Sequence, residues 1–280
     1  MNPPGEIDPL YILARRVLLD ALEALGPQRD AVILAGAQAV YLHTGPAGLA
    51  VPEYTTDADI AFNPGLLSEK PRLGDMLLKA GFRSDPAHVG TWLATKTFEG
   101  REVDVMLDLL VPEAVGGPGR RGARLGPHGN RAARKVKGLE AALLDNAKMP
   151  IAAFEITDRR AYGISVAGPV ALLIAKLHKI ADRGGETGRS QDKDALDVLR
   201  LLRSADADRL VRVFRRVTAD KIAGGTSREA VGFLERLFGK PDSAGSRMAA
   251  RAAEPMEAAE TTAAACAVLT EDLLKALRGK

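Results

Sequence analysis

The stretch from Ala31 to Phe62 limits the possible folds more than any other part of the sequence. An apolar run predicts a β-strand over 31–35, and Gly36 permits a tight backbone turn into a short helix. After a glycine- and proline-rich loop over 46–53, the pattern predicts a second strand over 56–62. Helix amides that face such a glycine turn are a natural phosphate site, although a plain strand-to-helix turn is the alternative.

The second of these strands carries two aspartates, Asp57 and Asp59. Because they are two residues apart in a strand, both carboxylates point to the same face. Two like charges about 6–7 Å apart repel each other unless a cation lies between them. Mg²⁺ is held by one or two carboxylates and keeps positions open for phosphate oxygens. The pair therefore predicts a metal site, with a solvated strand face as the alternative.

A third carboxylate is expected from the strand predicted over 101–111. Its alternation puts Val105 and the other apolar residues on one face, and Asp104, Met106 and Asp108 on the other. Asp104, near the start of the strand, is the candidate that joins Asp57 and Asp59, and Asp108 is the second choice.

A basic segment follows this strand, from Gly116 to Gly138, and contains no acidic residue. Its cationic residues are Arg120, Arg121, Arg124, Arg131, Arg134, Lys135 and Lys137. Lysine and arginine near phosphates release counterions, so the segment predicts contact with RNA or a nucleotide, with a solvated loop as the alternative. His128 lies in the same segment and has no partner that the sequence identifies.

The C-terminal part of the sequence is helical. Gly168 and Pro169 begin an amphipathic helix, since proline is tolerated in the first turn. Lys176, Lys179 and Arg183 form a basic stripe on it. The next helix carries Asp194 and Asp197 on one face, and salt bridges between the two helices are the alternative to a functional role. Further helices are predicted over 206–217, 227–238 and 248–278.

Composition sets broad limits on the class of protein. The 280 residues, 46% of them hydrophobic, suffice for one large domain or two modest ones. A single cysteine, Cys266, excludes an internal disulfide and favours a cytoplasmic location. No apolar run reaches the roughly 18 residues of a membrane span. We predict an α/β (α+β) protein with a sheet-containing domain over 1–166 and a helical domain over 167–280.

Taken together, these motifs resemble the nucleotidyltransferase superfamily with a polymerase-β-like fold, and most of all the AbiEii and MenT types of nucleotidyltransferase toxin. The resemblance covers roughly residues 30–203. It is carried by Gly36-Ala37, Asp57-Ala58-Asp59, Val103-Asp104-Val105, the helix that contains Lys176, and Lys193 to Asp197. It implies a mixed sheet flanked by helices, with a C-terminal helical domain.

The resemblance also implies an activity. Such enzymes transfer a nucleoside monophosphate from an NTP to an acceptor, which in these toxins is often the 3′ end of tRNA. The implied partners are an NTP, a tRNA and a cognate antitoxin protein, with no membrane. Two alternatives stay open: transfer to a small hydroxyl compound such as an antibiotic, and a non-catalytic module that binds nucleotide or RNA.

The implied roles fall on particular residues. Asp57 and Asp59 would hold Mg²⁺ on the triphosphate, and Asp104 would complete the site of a second ion, with Mn²⁺ as a possible substitute. Lys176 would bind the triphosphate. Asp194 would orient Lys176 or contact the base or sugar. One departure concerns the glycine turn, because Ala37 follows Gly36 where the superfamily usually has serine. The phosphate contact would then come from backbone amides or from the side chain of Gln38.

Overall fold

The computed structural model describes residues 7–45, 54–183 and 189–279. The strands are β1 Val32–Ala35, β2 Asp57–Phe62, β3 Arg83–Ser84, β4 Thr91–Phe98, β5 Arg101–Pro112, β6 Arg134–Val136, β7 Asn146–Ala152 and β8 Ala161–Ala167. The helices are α1 Pro9–Ala24, α2 Gly36–Thr44, α3 Leu73–Lys79, α4 Pro169–Asp182, α5 Arg189–Ser204, α6 Ala207–Thr218, α7 Gly224–Phe238, α8 Ala244–Ala253 and α9 Ala259–Arg278. The glycine- and proline-rich loop predicted over 46–53 lies outside the described residues.

One mixed sheet contains all of these strands. Its order is β3-β4-β5-β2-β1-β8-β7, and β6 pairs with the end of β5. Strand β2 runs parallel to β5 and antiparallel to β1, while β1 runs parallel to β8. The predicted class is therefore confirmed: a mixed sheet flanked by helices, followed by a C-terminal helical region.

Helix α1 covers one side of the sheet at β2 and β5. Leu18 and Leu22 of the helix are fully buried, and so are Ile60 of β2 and Leu107 of β5, which alternate with the polar residues of their strands. Lys96, which pairs with Val103, reaches Asp20 of α1 at 2.7 Å from the same side. The residues between these apolar positions therefore point to the opposite side of the sheet, where Asp57 and Asp59 lie.

The chain divides into two compact units. Within the described ranges, the first unit contains the residues up to Ala39, 54–136 and Asn146–Ala167, which include the whole sheet. The second contains 40–45, Lys137–Asp145 and the residues from Gly168 onward. Two short internal segments thus belong to the same unit as the C-terminal helices, so the two units are not two consecutive stretches of the chain.

The second unit is built from the helices α4 to α9. Helix α5 packs against α4 and α8, and α9 packs against α6, α7 and α8. Its core includes Leu199, Phe214, Phe238 and Cys266, all of them buried. Within the described residues, no helix is long and apolar enough to cross a membrane.

Candidate active site

Strand β2 places Asp57 and Asp59 on the side of the sheet away from α1. Between them, Ala58 is buried, and Asp57 and Asp59 themselves are only partly buried. The Thr55 hydroxyl donates to Oδ1 of Asp57 at 2.6 Å, which fixes that carboxylate. Both aspartates therefore lie on one face, as the sequence predicts.

The register of the sheet determines which carboxylate lies beside this pair. In the parallel pairing of β2 with β5, Asp59 is opposite Asp108 and Asp57 is opposite Met106. Neighbouring strands lie about 4.8 Å apart, so Asp59 and Asp108 are lateral neighbours on the same side. The third acidic residue of the candidate site is therefore Asp108.

The choice of Asp104 over Asp108 needs correction. Asp104 shares the face of Asp108, but it lies two residues before Met106, the partner of Asp57, so it is opposite neither Asp57 nor Asp59. Its carboxylate binds Arg83 at 2.8 Å and accepts the Thr95 hydroxyl at 2.7 Å. These hydrogen bonds, first from Thr95 and then from Arg83, lower the pKa of Asp104. Alternation alone could not distinguish the two aspartates, because the sequence of β5 does not specify which of its residues lies opposite Asp59 of β2.

Asp108 is held by two donors from neighbouring strands. The Thr91 hydroxyl donates to Oδ1 at 2.6 Å, and the Arg134 guanidinium donates to Oδ2 at 2.5 Å. Arg134 belongs to the basic segment, where the sequence predicts contact with nucleic acid. The structure instead places it on a carboxylate of the candidate site.

The glycine that begins α2 is required by Asp59. Gly36 has φ +67°, and a Cβ added to it would lie 1.9 Å from Oδ2 of Asp59. Any side chain at this position would therefore displace the carboxylate. The sequence predicts a close approach of the backbone to a phosphate here. The structure shows a close approach to Asp59, whose negative charge is favourable near the first turn of a helix.

The two residues after this glycine are buried and do not offer side chains to a phosphate. Ala37 is 6% exposed and Gln38 is 1% exposed. The Gln38 side chain accepts from Nε of Arg15 at 2.8 Å and donates to the backbone carbonyl of Asp57 at 3.1 Å. Gln38 is thus a positioning residue for the start of β2, rather than the phosphate ligand that the sequence suggested.

The donor atoms present fit one hard cation better than two. Asp57 and Asp59 supply carboxylate oxygens on one face, which suits Mg²⁺. Both oxygens of Asp108 accept hydrogen bonds from protein donors, one from Thr91 and one from Arg134, and Oδ1 of Asp57 accepts one from Thr55. Across residues 7–45, 54–183 and 189–279, no three His, Cys, Asp or Glu side chains are grouped so as to hold a metal ion.

A comparison with protein-family models connects this geometry with a known class of enzyme. Residues 15–200 match the family described as Nucleotidyltransferase. That match covers about two thirds of the chain, from α1 into α5. The chain belongs to the nucleotidyltransferase family. A search among curated proteins found no match.

In the second unit of this nucleotidyltransferase, Lys176 lies between two carboxylates. Its ammonium donates to Asp194 at 2.6 Å and to Asp197 at 2.7 Å, and the side chains of all three are nearly inaccessible to solvent. Burial lowers the pKa of Lys176, but the two carboxylates raise it more, so the net shift is upward. Lys176 therefore forms ion pairs between α4 and α5, which the sequence analysis named as the alternative to a functional role. The triphosphate contact implied by the resemblance is a different role for this side chain.

Asp194 is the centre of a larger charge cluster. Besides Lys176, it binds Lys179 at 3.0 Å, and Arg183 is 3.8 Å away. Burial raises the pKa of Asp194, but Lys176 and Lys179 outweigh it and lower the value to about 2. The structure thus shows Asp194 paired with Lys176, while the role of Asp194 toward a bound nucleotide stays a prediction.

The basic segment of the nucleotidyltransferase is anchored to the sheet over part of its length. Ala123, Leu125 and Ala133 are buried, and Arg131 donates to the carbonyl of Pro86 at 3.0 Å. Strand β6, at its end, was not predicted from the sequence. The arginines Arg120, Arg121 and Arg124 are exposed and make no side-chain bond with another described residue.

His128 fastens this segment to α3. Nδ1 of its ring accepts the backbone amide of Leu73 at 3.1 Å, and Nε2 lies 3.0 Å from the carbonyl of Ser68. That carbonyl only accepts, so Nε2 carries the proton. The ring is buried and caps the first turn of the helix. His128 therefore has a structural partner on each side.

Two further residues escaped the sequence analysis. Arg15 is buried in α1, where it holds Gln38 and also donates to the carbonyl of Ala152 at 3.0 Å. Thr91 supports Asp108 across the strand pair. Neither residue belongs to a recognisable motif. A charged residue in the apolar stripe of α1 was the available signal for Arg15.

Proposed function

We propose that this nucleotidyltransferase uses Mg²⁺ to transfer a nucleoside monophosphate from an NTP to the 3′ end of a tRNA. The observation that carries the proposal is the carboxylate row, by which we mean Asp57 and Asp59 along β2 together with Asp108 beside Asp59 on β5. Gly36 contacts Asp59 so closely that a Cβ would not fit. A carboxylate pair on one face is the donor set that holds Mg²⁺ on a triphosphate.

In the proposed reaction, the RNA hydroxyl oxygen forms a bond to the α-phosphorus of the NTP. The bond from that phosphorus to the bridging oxygen of the β-phosphate breaks, pyrophosphate leaves, and the hydroxyl proton passes to solvent. Asp57 and Asp59 would hold the ion, which neutralises charge on the triphosphate when bound. Thr55 and Gln38 keep the Asp57 end of β2 in place.

An RNA acceptor is favoured by the exposed arginines of the basic segment. Arg120, Arg121 and Arg124 add three positive charges within five residues, and their side chains face solvent. Side chains of this kind bind the phosphate backbone and make binding dependent on salt. A role as the toxin of a toxin–antitoxin pair in the cytoplasm, with a cognate antitoxin, is part of the proposal and rests on resemblance alone.

A small cationic acceptor would instead need an acidic pocket beside the carboxylate pair. The first unit does have a depression lined in part by Asp20, Glu23 and Asp75, although Lys79 and several apolar residues line it as well. The acidic residues belong to α1 and α3, and α1 covers the opposite side of the sheet from Asp57 and Asp59. The depression therefore does not support a small-molecule acceptor.

The proposal is tested by labelled transfer. The protein is incubated with total tRNA, Mg²⁺ and each α-labelled NTP in turn, and label in RNA is measured with and without EDTA. We expect incorporation that needs the divalent ion. Asp59→Asn should abolish it because the neutral amide is a poor ligand, whereas the matched variant Asp104→Asn, on the same face of the sheet, should keep it.

The other outcomes identify the alternatives. Label on an aminoglycoside-like compound instead of RNA would favour a small-molecule acceptor. NTP binding without any transfer would favour a non-catalytic module. Equal loss in Asp104→Asn and Asp59→Asn would contradict the assignment of the site to the row that contains Asp108.

A further inference from the structure

Arg134 binds the carboxylate of Asp108, which lies beside Asp59 in the sheet. Asp108 is the lateral neighbour of Asp59, and in two-metal enzymes such carboxylates hold ions about 3.5–4 Å apart. Here one oxygen of Asp108 accepts Thr91 and the other accepts Arg134. Both oxygens are therefore already bound by protein donors.

These donors are fixed by backbone pairing. Arg134 is paired with Leu110 in β5, and Thr91 is paired with Asp108 itself. Gly90 lies so close that an added Cβ would be 2.5 Å from the backbone nitrogen of Arg134. The ion pair is thus built on three adjoining strands, β4, β5 and β6. It does not depend on a long loop that would have to swing into place.

The charge of Arg134 also suits this place. A guanidinium is always protonated and has five N–H donors, of which one bond to Asp108 uses a single donor. The side chain is 36% exposed, so part of it faces outward beside the row. A fixed cation at a site of developing negative charge stabilises that charge without any rearrangement.

We propose that Arg134 takes the place of a second metal ion, so that one divalent ion, held by Asp57 and Asp59, serves each active site. The inference rests on the proposed function, since it assumes an ion at that pair. It departs from the two-ion site implied by resemblance, and it concerns how many ions bind rather than which acceptor is used.

The number of ions is measured with Mn²⁺, whose electron paramagnetic resonance spectrum distinguishes a single ion from a magnetically coupled pair. The full-length protein is titrated with Mn²⁺ in the presence of the α,β-methylene analogue of each NTP in turn. We expect one uncoupled ion per chain. Arg134→Gln should bind a second ion and give the coupled spectrum, because both the positive charge and the bond to Asp108 are lost.

Two variants serve as controls. Arg134→Lys keeps the positive charge and should keep the single ion. Arg124→Gln removes the same charge from the same segment without touching Asp108, and it should also keep one ion. The folding of each variant is compared with that of the parent protein by circular dichroism.

The outcomes separate this inference from the proposed function. A coupled Mn²⁺ pair in the unmodified protein would overturn the inference and leave the function intact. A folded Arg134→Gln variant that still binds one ion would overturn it too. Binding of Mn²⁺ that Asp59→Asn does not weaken would overturn both, because the ion would then lie elsewhere.

Discussion

Gly36 shows how one residue sets the geometry of the site. Its positive φ and its contact with Asp59 leave no room for a Cβ. The sequence predicted a glycine turn at this place, but the group that approaches the backbone is the carboxylate of Asp59, on the neighbouring strand β2 and opposite Ala35. The group that lies beside Gly36 is determined by the pairing of β1 with β2, and the residue pattern of a single strand does not reveal its partner.

We expect Gly36→Ala to abolish most of the transfer activity. The left-handed backbone alone costs about 1–2 kcal/mol with an alanine, and the methyl group must push Asp59 aside. A displacement of about 1 Å at a reacting centre lowers rates roughly 100-fold. The measurement is kcat together with the unfolding temperature. Gly163→Ala in β8 is the control, because a Cβ there meets nothing within 4 Å; equal loss in both would contradict the role of Gly36.

Lys176 provides a second prediction at this scale. Lys176→Met should lower the free energy of unfolding by about 3–5 kcal/mol, because Asp194 and Asp197 would remain buried without their cation. Lys179→Met removes a more exposed partner of Asp194, and its effect should stay below about 1 kcal/mol. Urea unfolding measures both changes. A rise in the KM for NTP with unchanged unfolding would instead restore Lys176 to the triphosphate site.

At the level of elements, periodicity predicted most helices and strands but not their partners. The strand predicted over 101–111 is observed as Arg101–Pro112, since its apolar residues alternate with polar ones. The pairing of Asp108 with Asp59 was not predicted. The long helix expected over 248–278 is divided into α8 and α9 near Pro255, where proline cannot continue a helix.

The exposed part of the basic segment carries the third prediction. Replacing Arg120, Arg121 and Arg124 together by glutamine should weaken RNA binding and reduce the salt dependence of the KM for RNA, with kcat at saturating RNA nearly unchanged. The matched control replaces Arg131, whose side chain binds the carbonyl of Pro86, and it should alter stability more than the salt slope. An unchanged salt slope in the triple variant would make the segment a structural connection only.

For the whole molecule, the buried charge cluster predicts how stability depends on pH. The pKa of Asp194 is lowered to about 2 from its ordinary value near 3.8. Its contribution is therefore present above about pH 4 and is lost as the pH falls toward 2, on the order of 2 kcal/mol. Unfolding by urea at several pH values measures this loss, and Asp194→Asn should flatten the dependence in that window.

The two compact units do not follow the order of the residues along the chain. The residues from Lys137 to Asp145 belong with the C-terminal helices although they precede β7 and β8 in the chain. The residue pattern over 139–148 predicts a helix or helical turn, and the structure has a short 3₁₀ turn over Glu140–Leu143, followed by β7 from Asn146. Local propensity identified the turn, but only packing of its buried residues decides which unit it joins.

The buried cysteine makes the protein a convenient object for site-directed spectroscopy. Cys266 is the single thiol of the chain and is fully buried, and burial raises its pKa to about 12. Maleimide reagents react with thiolates, so the folded protein should resist labelling until it unfolds. A cysteine introduced at an exposed position, such as Arg120, should then accept a fluorophore or spin label selectively, without removal of the native residue.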